Sequence, residues 1–172
     1  MDALSAHFLA MARNNKWANA RLLGACQRLS SETFAARRTG FFPSLRATLN
    51  HILAVDRYYL ASLEGTPSPY ADVDIAHPKE LAEAQGTEDD RLVRYCAGLT
   101  PPDHSRTVVT ERGARGRFPE RVDALLPHLF QHQIHHRGQA HAMLSDTDVL
   151  PPQLDEFFLA YDRDPAAAQI NR

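Results

Sequence analysis

The sequence has 172 residues and a net charge of −2, and 44% of its residues are hydrophobic while 23% are charged. This length and composition indicate a single globular domain over residues 1–172 that buries its own core. The charge balance gives no electrostatic basis for binding nucleic acid or an anionic membrane surface. No stretch approaches the ~20 apolar residues of a membrane helix, and the N-terminus lacks a signal-peptide pattern, so a cytoplasmic protein is expected.

Four long segments carry apolar residues at helical spacing, and they span residues 2–29, 43–64, 87–99 and 119–144. Their starts are marked by an N-cap residue, a capping-box threonine or a proline at the first helical position, namely Asp2, Pro43, Thr87 and Pro119. Residues 79–84 can extend the third segment backwards. The run at 107–110 has no strand partner of similar strength and is predicted to be an extended loop. The pattern predicts an all-α four-helix bundle with a short C-terminal helix or turn at residues 153–161.

Two polar segments allow more than one interpretation. Residues 14–19 interrupt the apolar face of the first helix around Trp17, the only tryptophan. The favoured interpretation is that Trp17 anchors one side of the bundle, and the alternative is that Trp17 or a neighbouring asparagine lines the mouth of a pocket. Residues 112–117 are basic and contain glycine, and they are predicted to form a solvated loop, with anion binding as the alternative.

The fourth segment is rich in histidine, because five of the nine histidines lie between residues 128 and 141. Neutral imidazole is the commonest metal ligand in proteins, and two ligands on one helix need a spacing of three or four residues to share a face. The helical projection places His132 and His136 on the inward stripe. It places His128 and His135 on one margin of that stripe, where they are candidates to support the ligands or to line the rim of the pocket. His141 falls on the opposite side of the helix, together with Phe130 and Ile134.

A site with an open position for water or substrate usually takes three protein ligands. His51 is the only other histidine on a long apolar helix away from the termini, so it is the candidate third ligand. The alternative is that these histidines are buried and satisfied by hydrogen bonds. Tyr58 lies beside His51 on the same helix and is a candidate pocket residue.

Several polar residues are candidates to orient the ligands or to line the pocket. Gln133 and Gln139 can hydrogen-bond to the ring nitrogens that do not bind metal. Asp56 falls near the centre of an apolar stripe, where an unpaired charge is costly, so it requires a partner. It can serve an orienting role or pair with Arg137, and the sequence does not choose between the two.

Three pieces of the chain form a recognisable combination: NKWAN at Asn15–Asn19, LNHILAVDR at Leu49–Arg57 and HQIHHRGQ at His132–Gln139. Together they resemble the DinB family, which is the DinB/YfiT-like group of metal-binding proteins. The resemblance implies a four-helix bundle with up-down-down-up connections. It also implies a divalent metal, nickel or zinc in many members, held by three histidines that correspond to His51, His132 and His136.

The resemblance further implies a homodimer and, in some members, transferase or isomerase reactions that use a low-molecular-weight thiol. The leading hypothesis is therefore a metal-dependent enzyme acting on a small molecule, with thiol transfer favoured over hydrolysis. No individual residue is assigned a catalytic role. The alternatives are a non-catalytic metal-binding or sensing protein and a structural dimer whose histidines bind nothing. The face formed by Phe130, Ile134 and His141 is apolar enough to pack against another helix or a second subunit.

Overall fold

The computed structural model describes residues 1–155. Its elements are α1 (Ala3–Cys26), α2 (Ser31–Ala35), α3 (Leu45–Leu63), α4 (Pro78–Ala97), α5 (Pro101–His104), β1 (Thr107–Glu111), β2 (Arg117–Arg121) and α6 (Val122–Leu144). The C-terminal helix predicted at residues 153–161 lies mostly outside the described residues. Within residues 1–155, no helix combines the length and the apolarity that a membrane span needs.

The four long helices form the predicted bundle, in which α1 and α3 each pack against both α4 and α6. Two core clusters reveal the helix directions. One cluster joins the starts of α1 and α6 to the ends of α3 and α4, through residues that include Phe8, Leu125, Leu63 and Leu92. The other joins the opposite ends, through residues that include Leu22, Met143, Leu49 and Leu81. Since α1 and α6 run in one direction and α3 and α4 in the other, the arrangement is up-down-down-up, as the resemblance implied.

The starts of α1 and α3 are determined by side-chain caps. Asp2 caps α1 as predicted, because its Oδ1 accepts hydrogen bonds of 3.1 Å from the backbone amides of Leu4 and Ser5. The helix α3 begins at Leu45, where Ser44 Oγ accepts from a backbone amide at 3.1 Å. The prediction that Pro43 occupies the first helical position is therefore wrong by two residues.

The starts predicted for the third and fourth helices are also corrected. The helix α4 begins with Pro78 at its first position, so the predicted extension over residues 79–84 is confirmed. Thr87 lies in the interior of the helix, where its Oγ1 donates to the carbonyl of Glu83 at 3.1 Å. The helix α6 begins at Val122, because Pro119 belongs to the strand β2. The rule that proline favours the first helical position therefore holds for Pro78 in α4, to which it was not applied. It fails for Pro119, to which it was applied.

The prediction of an extended loop at residues 107–110 is wrong, because β1 and β2 pair as an antiparallel hairpin with Val109 opposite Pro119. The side chains of β2 are mostly exposed, so this strand has no alternating apolar pattern to reveal it. On β1, Val108 and Thr110 are buried, and β1 packs against α3. The basic turn between the two strands lies beside His51 of α3 and His132 of α6, with which it lines a cavity.

Candidate metal centre

Three histidines meet between α3 and α6. His51 lies near the middle of α3, and His132 and His136 lie one turn apart on the neighbouring, antiparallel α6. One nitrogen from each ring forms a group whose atoms all lie within 4.8 Å of one another. The Nε2 atoms of His51 and His132 are 3.0 Å apart. The structure therefore brings together the three histidines that the sequence singled out, in an arrangement that could hold a metal ion.

The environment keeps these three imidazoles neutral. Burial, and then the neighbouring His136, lower the pKa of His51 to about 4. Burial and the surrounding histidines lower the pKa of His132 to about 3. Burial also lowers the pKa of His136, against the raising effect of a hydrogen bond. Since a metal ligand must offer an unprotonated nitrogen, the group is ready to bind a cation at neutral pH.

Two hydrogen bonds orient the rings from behind. His136 Nδ1 donates to Gln139 Oε1 at 2.8 Å, which leaves His136 Nε2 with a free lone pair. Gln139 Nε2 in turn lies 3.0 Å from Nε2 of the exposed His135. His51 Nδ1 lies 3.2 Å from the hydroxyl of Tyr70, so its Nε2 is the atom that faces His132. Partners of this kind set the tautomer and direction of a ligating histidine.

His132 has the least satisfied ring of the three. Its Nδ1 is buried and has no hydrogen-bond partner within residues 1–155. Its Nε2 faces Nε2 of His51, and two neutral imidazoles can share only one proton between such atoms. A cation bound between these nitrogens would be stabilised by both lone pairs. The donor set and its contacts therefore fit a divalent metal.

An aromatic side chain outside the helices covers the group. The ring of Phe42 lies 4.5 Å from the ring of His51 and 5.5 Å from that of His136, measured between centroids. Phe42 belongs to the segment that precedes α3. The apolar cover contributes to the low pKa values of the rings by keeping water away from them.

The remaining histidines of the cluster lie outside the group of three. His128 is exposed, and its Nε2 lies 3.1 Å from the hydroxyl of Tyr59. His141 Nε2 lies 3.0 Å from the carbonyl oxygen of Pro152. Phe130 is buried in the core and only 4% exposed, whereas Ile134 is 50% exposed. The face predicted to pack against another helix or a second subunit is therefore divided, because Phe130 packs inside the bundle while Ile134 is exposed.

A cavity of about 410 Å³ adjoins the histidines. His51 and His132 line it, and so does Tyr58, a predicted pocket residue whose hydroxyl donates to the carbonyl of Glu111 at 2.9 Å. The basic turn of the hairpin also lines this cavity, through residues that include Arg112 and Arg115. The prediction that residues 112–117 are exposed to solvent is confirmed. The same turn also forms one wall of the cavity, which the prediction of a solvated loop did not include.

Asp56 belongs to a buried network of polar side chains in the interior of the bundle, where it contacts Gln85 of α4 and Gln133 of α6. Its side chain is 1% exposed and accepts a 2.6 Å hydrogen bond from Gln85 Nε2 and another from Gln133 Nε2. Gln133 is therefore bonded to Asp56, and its own Oε1 has no partner within residues 1–155. The predicted partner of Asp56 exists, but it is a pair of glutamine amides and not Arg137.

Arg137 is held on the same network by two asparagines of α1. Its Nη1 donates to Oδ1 of Asn15 and, at 3.1 Å, to Oδ1 of Asn19. The amides of these asparagines donate in turn to Oδ1 of Asp89, at 3.1 and 2.9 Å. Asn15 and Asn19, four residues apart on one helix, thus bridge a buried guanidinium and a buried carboxylate. The alternative that these asparagines line a pocket mouth is replaced by this structural role.

The network contains two carboxylates and one guanidinium, so one carboxylate keeps its proton at neutral pH. Burial and the nearby Asp89 raise the pKa of Asp56 to about 8. Burial raises the pKa of Asp89 to about 6, against the lowering effect of hydrogen bonds and of Arg137. Burial lowers the pKa of Arg137 to about 10, which leaves it charged at pH 7. Asp89 is then the counter-charge of Arg137, and Asp56 is neutral.

Asp56→Asn is expected to remove a pH dependence of stability between pH 6.5 and 8. The folded protein holds the proton of Asp56 up to a pKa of about 8, above the ordinary 3.8, so wild-type stability falls as the pH rises through this window. The wild type should lose about 1 kcal/mol per pH unit more than Asp56→Asn. Urea unfolding at several pH values, in the presence of a chelator, measures the difference.

The comparison of the two proteins is its own control, because every other titrating group is common to both. Asparagine can also keep the hydrogen bonds, since its amide can donate to the unpartnered Oε1 of Gln133 after that side chain turns over. Parallel stability curves for the two proteins would contradict a protonated Asp56.

Comparison with known proteins agrees with the fold. The model of the DinB family matches residues 4–166 of the chain. The chain belongs to the DinB family. Protein DinB of Bacillus subtilis (strain 168) is 26% identical to it over 137 residues, which cover 76% of this chain and 80% of that protein. The crystal structure of a DinB-like protein from Bacillus cereus ATCC 10987 is similar in fold, with a TM-score of 0.69 and 17% identity, over 85% of this chain and 94% of that one.

Membership of the DinB family confirms the resemblance seen in the three sequence pieces, and the structure now shows what each piece does. The first piece supplies the asparagines that hold Arg137, the second carries His51 and Asp56, and the third carries His132 and His136. Sequence reasoning missed Gln85 and Asp89 on α4, which complete the buried network. Polar residues on a helix of low apolar content gave no signal that these two are buried.

Proposed function

We propose that this DinB-family protein is an enzyme that holds a divalent metal, nickel or zinc, through His51, His132 and His136, and uses it on a small thiol. The observation that carries the proposal is the convergence of three neutral imidazoles, with nitrogens within 4.8 Å of one another, next to a cavity large enough for a small molecule. A structural role for the histidines alone would not explain the unsatisfied ring of His132 or the adjoining cavity.

A divalent metal in this position would supply one thing, namely a lowered pKa for a thiol or water that reaches it. The chain's own residues do the rest. Gln139 and Tyr70 hold the rings of His136 and His51 in direction, and Phe42 keeps bulk water from the group. Tyr58 and its neighbours shape the cavity in which the substrate lies. The family resemblance favours a thiol over water, so thiol transfer is proposed ahead of hydrolysis.

The first experiment is metal analysis of protein purified without a histidine tag, compared with His51→Ala and His136→Ala. We expect roughly one metal ion per wild-type chain and a loss of most of it in both variants, because each removes one of three ligands. The matched control is His7→Ala, which removes an exposed histidine of α1. Unchanged metal content in His51→Ala would remove the third ligand from the proposal.

Cobalt substitution then separates the proposed chemistry from its alternatives. On the cobalt-loaded protein, a small thiol should produce a thiolate-to-metal absorption band, while a hydrolysable ester should be turned over only if water is the nucleophile. A spectrum that responds to neither compound would favour a closed, non-catalytic metal site.

A homodimer also stays a prediction from the resemblance, and light scattering at micromolar concentration measures it.

A further inference from the structure

The cavity beside the three histidines is formed by four separate parts of the chain. The helix α3 contributes His51, Val55, Tyr58 and Tyr59, the connection after it contributes Pro69 and Tyr70, and the hairpin contributes its turn. His132 of α6 completes the wall. The volume of about 410 Å³ and the aromatic lining suit a small organic molecule and not a macromolecule. The hairpin is the only one of these parts that brings full positive charges.

The turn of the hairpin presents two arginines on one side. Residues Gly113–Arg115 form one turn of 3₁₀ helix with Arg112 as the residue before it. Side chains three residues apart eclipse one another in such a helix, so Arg112 and Arg115 point the same way, and both line the cavity. Gly113 and Gly116 have φ of 58° and 88°, which glycine adopts without strain, so the sequence of the turn suits this conformation.

The charged side chains that line the cavity do not cancel one another. Glu111 lines the cavity but pairs with Arg117, whose Nε lies 3.2 Å from the Glu111 carboxylate. Arg112 lines the cavity and pairs with Glu120 at 3.0 Å. Arg115 has no carboxylate within ion-pair distance in the part of the chain that the structure describes. One positive charge on the cavity wall therefore remains without a counter-charge.

We propose that this cavity binds the carboxylate end of the substrate, through Arg115 together with Arg112, while the thiol end reaches the three histidines. The substrate is then a small thiol that carries a carboxylate, with an apolar or aromatic body lying against the tyrosines. Guanidinium groups bind carboxylates with charge-assisted hydrogen bonds, and a pair of them on a fixed turn makes the contact directional. This inference rests on the proposed function, because it takes the histidines as the place where the thiol reacts.

The test compares two thiols of the same shape, 4-mercaptobenzoate and 4-mercaptobenzamide, on the cobalt-loaded protein. Titration of the thiolate-to-cobalt band gives the dissociation constant of each. The wild type should bind the carboxylate about tenfold more tightly than the amide. In Arg115→Gln that ratio should fall to within about twofold, because the uncompensated charge is gone. Arg121→Gln is the matched control, since it removes the same charge from the same hairpin outside the cavity lining, and it should keep the wild-type ratio.

Equal affinities of the wild type for the two thiols would overturn the inference, and so would an Arg115→Gln variant that keeps the tenfold ratio. Arg115 is exposed on the turn, so its replacement leaves the core intact. The same pair of thiols is also measured by equilibrium dialysis on chelator-treated protein. If cobalt does not bind, the proposed function fails. The ratio of the two dissociation constants from dialysis then decides by itself whether the cavity recognises a carboxylate.

Discussion

Arg137→Met is expected to lower the free energy of unfolding by about 3–5 kcal/mol, the usual cost of removing one member of a buried, hydrogen-bonded set of opposite charges. Arg137 is 5% exposed, and its guanidinium binds the side-chain oxygens of Asn15 and Asn19. Methionine fills a similar volume but leaves the buried Asp89 without the positive charge that helps to lower its pKa, and it leaves two amide oxygens unpaired. Urea unfolding at pH 7 with a chelator present measures the loss.

Two further variants separate the buried charge from the loss of a long side chain. Arg57→Met removes a half-exposed arginine whose Nε lies 3.2 Å from Glu88, and it should cost at most about 1 kcal/mol. Adding Asp89→Asn to Arg137→Met removes the stranded charge, so the double variant should be more stable than Arg137→Met alone. A loss below about 1 kcal/mol in Arg137→Met would contradict the ionised pair.

His132→Ala is expected to abolish the stabilisation of the protein by metal. A ligand that binds only the folded state at 100 times its Kd raises the free energy of unfolding by about 2.7 kcal/mol, so nickel or zinc at that concentration should do so in the wild type. If the loss of the central histidine weakens binding by about a hundredfold, the same metal concentration adds less than about 0.5 kcal/mol. Thermal or urea unfolding with and without metal provides the comparison.

The matched control for this experiment is His128→Ala. His128 lies one turn before His132 on the same helix but is exposed and bonded to Tyr59. This variant should keep the metal-induced stabilisation, since its ring lies outside the group of three. Stabilisation of His132→Ala by the wild-type amount would show that the metal binds elsewhere in the chain.

The helices and the choice of histidines were predictable because both depend on local periodicity. Apolar residues at helical spacing indicated the four long helices, and the same spacing selected His132 and His136 from five neighbouring histidines. His51 was selected because it lies on a long apolar helix, and the resemblance to the DinB family pointed to the same residue. The errors in the helix starts amount to two or three residues for α3 and α6, and α4 begins nine residues before Thr87, within one residue of the extension predicted over residues 79–84.

The hairpin and the buried network were not predictable, because each depends on contacts between distant parts of the chain. The strand β2 contains Pro119 and exposed charged residues, so only its pairing with β1 makes it a strand. Gln85 and Asp89 are polar residues on α4 that would ordinarily face water. They are buried because Asp56 of α3 and the asparagines of α1 meet them in the middle of the bundle.

By itself, the sequence determined the four-helix bundle and the three histidines that face one another, since helical periodicity assigns each side chain to a face of its helix. Only the tertiary structure decided what surrounds those histidines. Phe42 covers them, the turn with Arg112 and Arg115 lines the cavity next to them, and Asp56 finds its partners in two glutamines. The physical reason is that these contacts depend on the distances between separate helices, strands and loops. The spacing of residues within one helix contains no information about those distances.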